Sequence, residues 1–219
     1  MNLDDAFWPA LWDLATASGT RPEVLLAVWT SESGLDPRAK NSIGCIGLNQ
    51  ICPKPYGPGF PKGDAEAYQA APASEQLAWI GPRVLSAVEL NGGPFVSAAR
   101  YYQANFLPAT LAHAKRPGDV IAGRRGPYAQ AYAANLSLDP ERRGAITLTT
   151  LGRALEKRIL HDQGFADAVA TAYAQSPPDA PWSSPELVIY EPEPSGGRNR
   201  WIAGLFLAGV IGAVILKHR

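Results

Sequence analysis

The chain has 219 residues, 46% of them hydrophobic and 18% charged, a globular balance that fits one ordinary domain plus extra segments. Its 20 basic residues cancel 20 acidic ones, so there is no electrostatic footprint for nucleic acid, and duplex binding by counterion release is a poor fit. Cys45 and Cys52 are too few for a metal site of their own and have no histidine near them in sequence; they read first as small buried side chains, with a local disulfide as the alternative.

The amino-terminal stretch "MNLDDAFWPALWDLA" carries Asp4 and Asp5 where a secretory leader would carry positive charge, so no signal peptide is expected. The spacing of Phe7, Leu11 and Leu14 predicts a helix over Ala6–Ala17. Val24, Leu25, Val28 and Trp29 predict a second over Arg21–Ser33, with Thr20 as N-cap, Pro22 in the first turn and Gly34 as the stop. Further helices are expected at Ser74–Asn91, Phe95–Asn105, Gly126–Ala134, Leu148–Gln163 and Phe165–Ala174. Lys54–Gly63, "KPYGPGFPKG", reads as a Pro/Gly loop whose aromatic side chains line a surface cleft. No strand-rich region and no internal repeat is visible.

Among the carboxylates, Glu23, Asp64, Glu66, Glu75 and Glu89 are expected on solvated faces, and Asp36 is expected to cap backbone amides before Pro37. "LDPERRGAITL" looks like a decayed calcium loop, with Asp139, Glu141 and Gly144 at positions one, three and six. Arg143 takes a ligand position and Thr150 stands where a closing Glu would be, so no calcium is expected. Tyr128, Tyr132 and Asn135 are expected to wall the distal end of a cleft.

Residues 175–200 hold six prolines, several serines and a Gly pair, which reads as an extended, semi-rigid tether. After it, "WIAGLFLAGVIGAVIL" runs from Trp201 to Leu216 without a charge, between Arg198 and Arg200 on one side and Lys217 and Arg219 on the other. At about 1.5 Å per residue it spans about 24 Å, slightly short of a bilayer core of about 30 Å. With Trp201 and the flanking cations as interface anchors it is expected to be a membrane helix, with a peg buried in a protein assembly as the alternative.

A more specific pattern lies between these elements. Glu32-Ser33, Gly34-Leu35-Asp36-Pro37, Ala39, Asn41, Ser42, Gly44, then Gly47-Leu48-Asn49-Gln50-Ile51 and Pro53 together resemble the signature of the lytic transglycosylases related to goose-type lysozyme. The resemblance implies a mainly α, lysozyme-like helical domain over residues 1–174, with the motifs within 20–110 and a helical extension over 126–174. It also implies that Glu32 is the catalytic acid, that Gln50 hydrogen-bonds substrate in the cleft, and that Ser33 bonds locally or to the sugar's N-acetyl region. "SAARYYQANF" is similar to the family's Ala-Tyr-Asn motif, which places Tyr102 or Tyr101 near the acid and supplies Asn105. Asn49 departs from the family, where an apolar residue is usual.

A carboxylic acid can protonate a departing glycosidic oxygen near neutral pH only if burial raises its pKa, and Glu32 follows Leu25, Val28 and Trp29 at the end of an apolar helix. Ordinary glycosidases use a second carboxylate. A transglycosylase needs none, because the substrate's acetamido group assists and the sugar's own 6-hydroxyl attacks. The expectation is therefore cleavage of peptidoglycan glycan strands to 1,6-anhydromuramoyl ends, with no cofactor and no metal; a hydrolytic muramidase and a docking protein that keeps the fold without cutting are the alternatives. A wall-cutting domain without a leader points to a bacteriophage particle that carries it to the next host, with Trp201–Leu216 held by a virion membrane or other virion proteins; a bacterial inner-membrane enzyme is the other possibility.

Overall fold

The structure is a computed structural model that describes residues 3–54, 59–60 and 64–190. The expected hydrophobic helix over Trp201–Leu216, the end of the tether and most of the Lys54–Gly63 loop lie outside the described residues. Among those described, no helix is long and apolar enough to cross a membrane.

The protein is mainly helical, as expected. Helices α1 (Phe7–Ser18), α2 (Pro22–Ser33), α3 (Asp64–Ala70), α4 (Ala73–Asn91), α5 (Ala98–Phe106), α6 (Ala129–Ala134), α7 (Leu148–Ile159) and α8 (Gln163–Ala174) are joined by short connections and two small strands. Helix α2 is the centre. Pro22 through Thr30 are all buried, so it is enclosed on every side and packs against α1, α5, α7 and α8. Burying Leu25, Leu26, Val28 and Trp29 completely contributes roughly 2 kcal/mol each. Helix α1 closes one flank against α4, and its Trp12 Nε1 donates to the Ala172 carbonyl of α8 at 2.8 Å.

Several local expectations change. Thr20 does not cap α2: the boundary residue is Arg21, and the Thr20 hydroxyl accepts instead from the Phe95 amide at 3.2 Å. Helix α5 starts at Ala98 rather than Phe95, because Ser97 takes extended dihedrals and its hydroxyl accepts from the Arg100 amide. A two-stranded antiparallel sheet, β1 (Val120–Gly123) with β2 (Ala145–Thr147), was not expected at all. Between its strands Asp139 is buried, accepting from the Arg143 and Gly144 amides at 3.0 and 2.8 Å and from the Tyr132 hydroxyl at 2.9 Å. The loop keeps a turn, and protein donors occupy its carboxylate.

The first part of the expected tether is no tether. Residues 175–190 lie against the domain, with Leu187 and Ile189 buried and Trp182 beside Trp12. The Val188 and Ile189 carbonyls accept from the Ala98 and Ala99 amides at 2.8 and 3.1 Å. These are first-turn donors of α5, which have no partner within their own helix, so an extended strap of alternating apolar residues satisfies them.

Glu23 is the largest correction. It is fully buried rather than solvated. Its Oε1 accepts from Arg21 Nε and from the Glu186 amide, both at 2.7 Å, and its Oε2 accepts from the Tyr173 hydroxyl at 2.7 Å. In the first turn of α2 it also meets the positive end of the helix dipole. One carboxylate thus joins α2, α8 and the strap. Glu23→Ala is expected to cost about 3–5 kcal/mol in urea unfolding, since it removes one partner of a buried pair and leaves Tyr173 and the strap amide without an acceptor.

Candidate active site

Glu32 sits in the last turn of α2, one residue before its end. Gly34 then takes a left-handed conformation (φ 64°), with its amide on the Thr30 carbonyl at 2.8 Å, and the helix stops as expected. The chain turns through Leu35, also at positive φ, and Asp36, whose Oδ1 accepts from the Arg38 amide at 2.9 Å in the capping role expected of it. It then folds back on itself through bridges pairing Lys40 with Ile46 and Ile46 with Ile51. That pairing sets the flanks side by side, and Cys45 and Cys52 are joined by a disulfide rather than buried as separate thiols.

The returning loop, Gly47 to Ile51, is held from three sides. Gly47 is required: it has φ 76°, and a Cβ there would meet Gln76 Oε1 at 2.6 Å and the Tyr68 ring. Gln76, fully buried on α4, accepts from the Leu48 amide at 3.0 Å and donates to the Pro37 carbonyl at 2.7 Å, so it clamps the outgoing and returning arms together. The Ser33 hydroxyl lies 2.9 Å from the Leu48 carbonyl and 3.0 Å from the Trp29 carbonyl, which realises its local role.

Gln50 departs from expectation. Its amide nitrogen donates to the Gly47 carbonyl at 3.0 Å and the Ala39 carbonyl at 3.3 Å, so it braces its own loop instead of offering a donor to substrate. With φ 45° the Gln50 backbone is in a region that a bulky residue occupies only when its surroundings enforce it.

Asn49 takes the inner position of the loop. Its Oδ1 accepts from Trp29 Nε1 at 2.9 Å, and its Nδ2 donates to Asn105 Oδ1 at 2.6 Å. Helix α5 supplies the opposite wall. Tyr101, buried, shares the Trp29 indole donor at 3.1 Å, while Tyr102 and Asn105 are the side chains of α5 that act on the Glu32 carboxyl, each favouring its charged form. Helix α7 adds Arg158, whose Nη1 donates to the Tyr102 hydroxyl at 2.8 Å and to Ser31 Oγ at 3.0 Å. Of the residues singled out in the sequence, Glu32, Tyr102 and Asn105 therefore converge, Tyr101 sits behind them on Trp29, and Ser33 and Gln50 hold the loop.

Sequence reasoning did not single out Arg158, Gln76 or the polar role of Trp29. Trp29 and Arg158 looked like ordinary members of helical faces, and no local pattern marks a side chain whose partners lie on another helix.

The electrostatics suit an acid. Glu32 is half-buried by surface exposure, and desolvation holds its pKa above the ordinary carboxylate value; donation from Tyr102, the Arg158 charge and donation from Asn105 pull the other way without cancelling it. Burial, with the Glu32 charge adding to it, likewise raises Tyr102, so its phenol keeps its proton and can donate. The arrangement can hold a proton on one carboxyl oxygen at a pH where a solvated glutamate has lost it, and can take it back from a hydroxyl nearby. Compared with protein-family models, with curated proteins and with solved structures, the chain matches none.

Because the folded protein holds the Glu32 proton more tightly than the unfolded chain does, this group destabilises the fold as pH rises above its unperturbed value of 4.5. Glu32→Gln is therefore expected to melt a few degrees above wild type at pH 7, with the gap closing as pH falls to 4.5 and below; thermal scans across that range check it.

Proposed function

We propose that the chain is a peptidoglycan lytic transglycosylase of lysozyme-like fold that cleaves the MurNAc–GlcNAc β-1,4 bond with Glu32 as its acid and base. The observation that carries the reading is the convergence of α2, the Gly47–Ile51 loop and α5 on one desolvated carboxyl, in the order in which the motifs follow one another in the sequence.

In this reading protonated Glu32 gives its proton to the glycosidic oxygen as the C1–O4 bond breaks, and the departing sugar leaves as an alcohol. The substrate's own acetamido oxygen captures the anomeric carbon. The Glu32 carboxylate then removes the proton from the 6-hydroxyl, O6 attacks C1, the acetamido group leaves, and the 1,6-anhydro ring closes. Glu32 ends the cycle protonated, with no water consumed. Tyr102 and Asn105 stabilise the carboxylate stage by donation, and Tyr102, held by Arg158, keeps it aimed.

The proposal extends to where the protein acts. A bacteriophage particle would deliver the domain to the wall of the next cell, with the charge-free stretch Trp201–Leu216 seated in a virion membrane or among other virion proteins.

Mass spectrometry of muropeptides from digested sacculi tests the chemistry. Wild type is expected to release anhydromuramoyl products, and Glu32→Gln to lose at least about a hundred-fold in rate, the typical worth of a positioned proton donor. Reducing ends in their place would make the protein a hydrolase, and equal inactivity of both forms would leave a docking role. Purified particles are expected to contain the protein; its absence from them would sink the delivery proposal.

A further inference from the structure

We propose that Asn49 is a positioning residue for Glu32, acting through Asn105 along a hydrogen-bond chain whose direction is fixed by the Trp29 indole. The proposal deepens the glycan-cleaving reading and rests on it for the catalytic consequence, though not for the chain itself.

An indole N–H can only donate. Trp29 Nε1 lies 2.9 Å from the Asn49 side-chain oxygen, so the Asn49 amide cannot be turned the other way without setting two donors against each other. Its Nδ2 must then face Asn105, and it does, at 2.6 Å from Oδ1. With that oxygen taken, the nitrogen end of Asn105 is left for its other neighbours. One of its hydrogens reaches towards the Asn49 carbonyl at 3.5 Å, and the other is left for the neighbouring Glu32 carboxyl, whose charged form Asn105 favours. Trp29 to Asn49 to Asn105 is thus a chain of donors with one allowed polarity, and it presents an amide donor beside Glu32.

The far side of Glu32 is built by the same rule. A guanidinium has no acceptor, and Arg158 donates to the Tyr102 hydroxyl at 2.8 Å, so the phenolic proton is free to point at Glu32. Two side chains that can only donate therefore begin two chains, and both end with a donor beside the same carboxyl. The titratable and charged groups that face it are Tyr101 and Tyr102 of α5 and Arg158 of α7; the loop contributes only the neutral Asn49.

This accounts for the one residue in the Gly47–Ile51 motif that departs from the resembling family. An apolar side chain at position 49 would fill the space, but it could not tell Asn105 which way to turn. Donation to a carboxylate favours its charged form and restricts its rotation. Asn49 should accordingly matter to how readily Glu32 gives up and recovers its proton, and little to how glycan binds.

The experiment is a titration of the Glu32 side-chain carboxyl by carbon-13 NMR in the full chain, paired with rates of glycan cleavage across pH. Asn49→Leu is nearly isosteric and leaves the Trp29 donor its Tyr101 partner, so a folded variant is expected. In it the Glu32 titration should move to higher pH, and the limb of the rate profile that reports Glu32 should move with it. The maximal rate should drop about ten-fold with KM within about two-fold, as loss of one hydrogen bond to a charged group implies. Asn105→Leu should give the same displacement, and adding Asn49→Leu to it should change nothing more, because the second residue acts only through the first. Should Asn49→Leu not fold, Asn49→Ser, whose side chain ends at the γ position and falls short of Asn105 while Trp29 keeps its Tyr101 partner, carries the same expectation. A Glu32 titration unmoved by either Asn49 change, or two displacements that simply add, would overturn the proposal. If wild type cleaves no glycan, the catalytic reading falls, and the titration still decides the chain.

Discussion

A single buried N–H organises this protein. The Trp29 indole lies in the middle of a helix enclosed on every side, where an unpaired donor costs about 1–3 kcal/mol. Its partners are Asn49 on the returning loop and Tyr101 on α5, so satisfying it brings together the three elements that surround Glu32. Packing alone would allow those elements to slide by an ångström at little cost. Hydrogen bonds of defined direction do not, and this is why a site built from a helix end, a loop and a second helix can hold a fixed geometry.

The same helix carries two carboxylates with opposite fates. Glu23, at its start, is saturated: an arginine, a tyrosine and a backbone amide occupy both oxygens, and the group serves only to join distant segments. Glu32, at its end, has neutral neighbours and one nearby guanidinium, Arg158, and desolvation prevails. The more deeply buried of the two is the one whose oxygens are all matched by donors, and the half-exposed one is left with few. The disulfide, Gln76 and Gln50 secure the loop around Glu32 without touching that balance.

Much of the frame was legible in the chain. Apolar spacing located seven of the helices to within a few residues, and Gly34 and Pro22 marked the ends of α2 correctly, because these signals depend on neighbours one turn away. What was missed depends on partners far along the chain. Glu23 looked solvated because Tyr173 and Glu186 lie 150 and 163 residues beyond it. The strap looked like a tether because its proline content is local, whereas the amides it satisfies belong to α5. Strand β1 could not be read from four residues whose mate begins at Ala145. In the site, Glu32 and the tyrosines came from an ordered motif; Arg158 had no motif to belong to, and Gln50 was placed correctly in the loop while its amide turned inward.

The separation between these partners also sets an order in time. Residue 32 leaves the ribosome well before the guanidinium that aims Tyr102, which follows 127 residues after Ser31, and the strap that seals the start of α2 comes later still. Closing loops of that length carries an entropic cost that only the later contacts repay. A growing chain therefore bears the carboxyl as a commonplace helix-end acid, and the capacity to manage its proton arrives with the final helices of the domain. Synthesis from the amino terminus keeps Glu32 and Arg158 apart until α7 has been made.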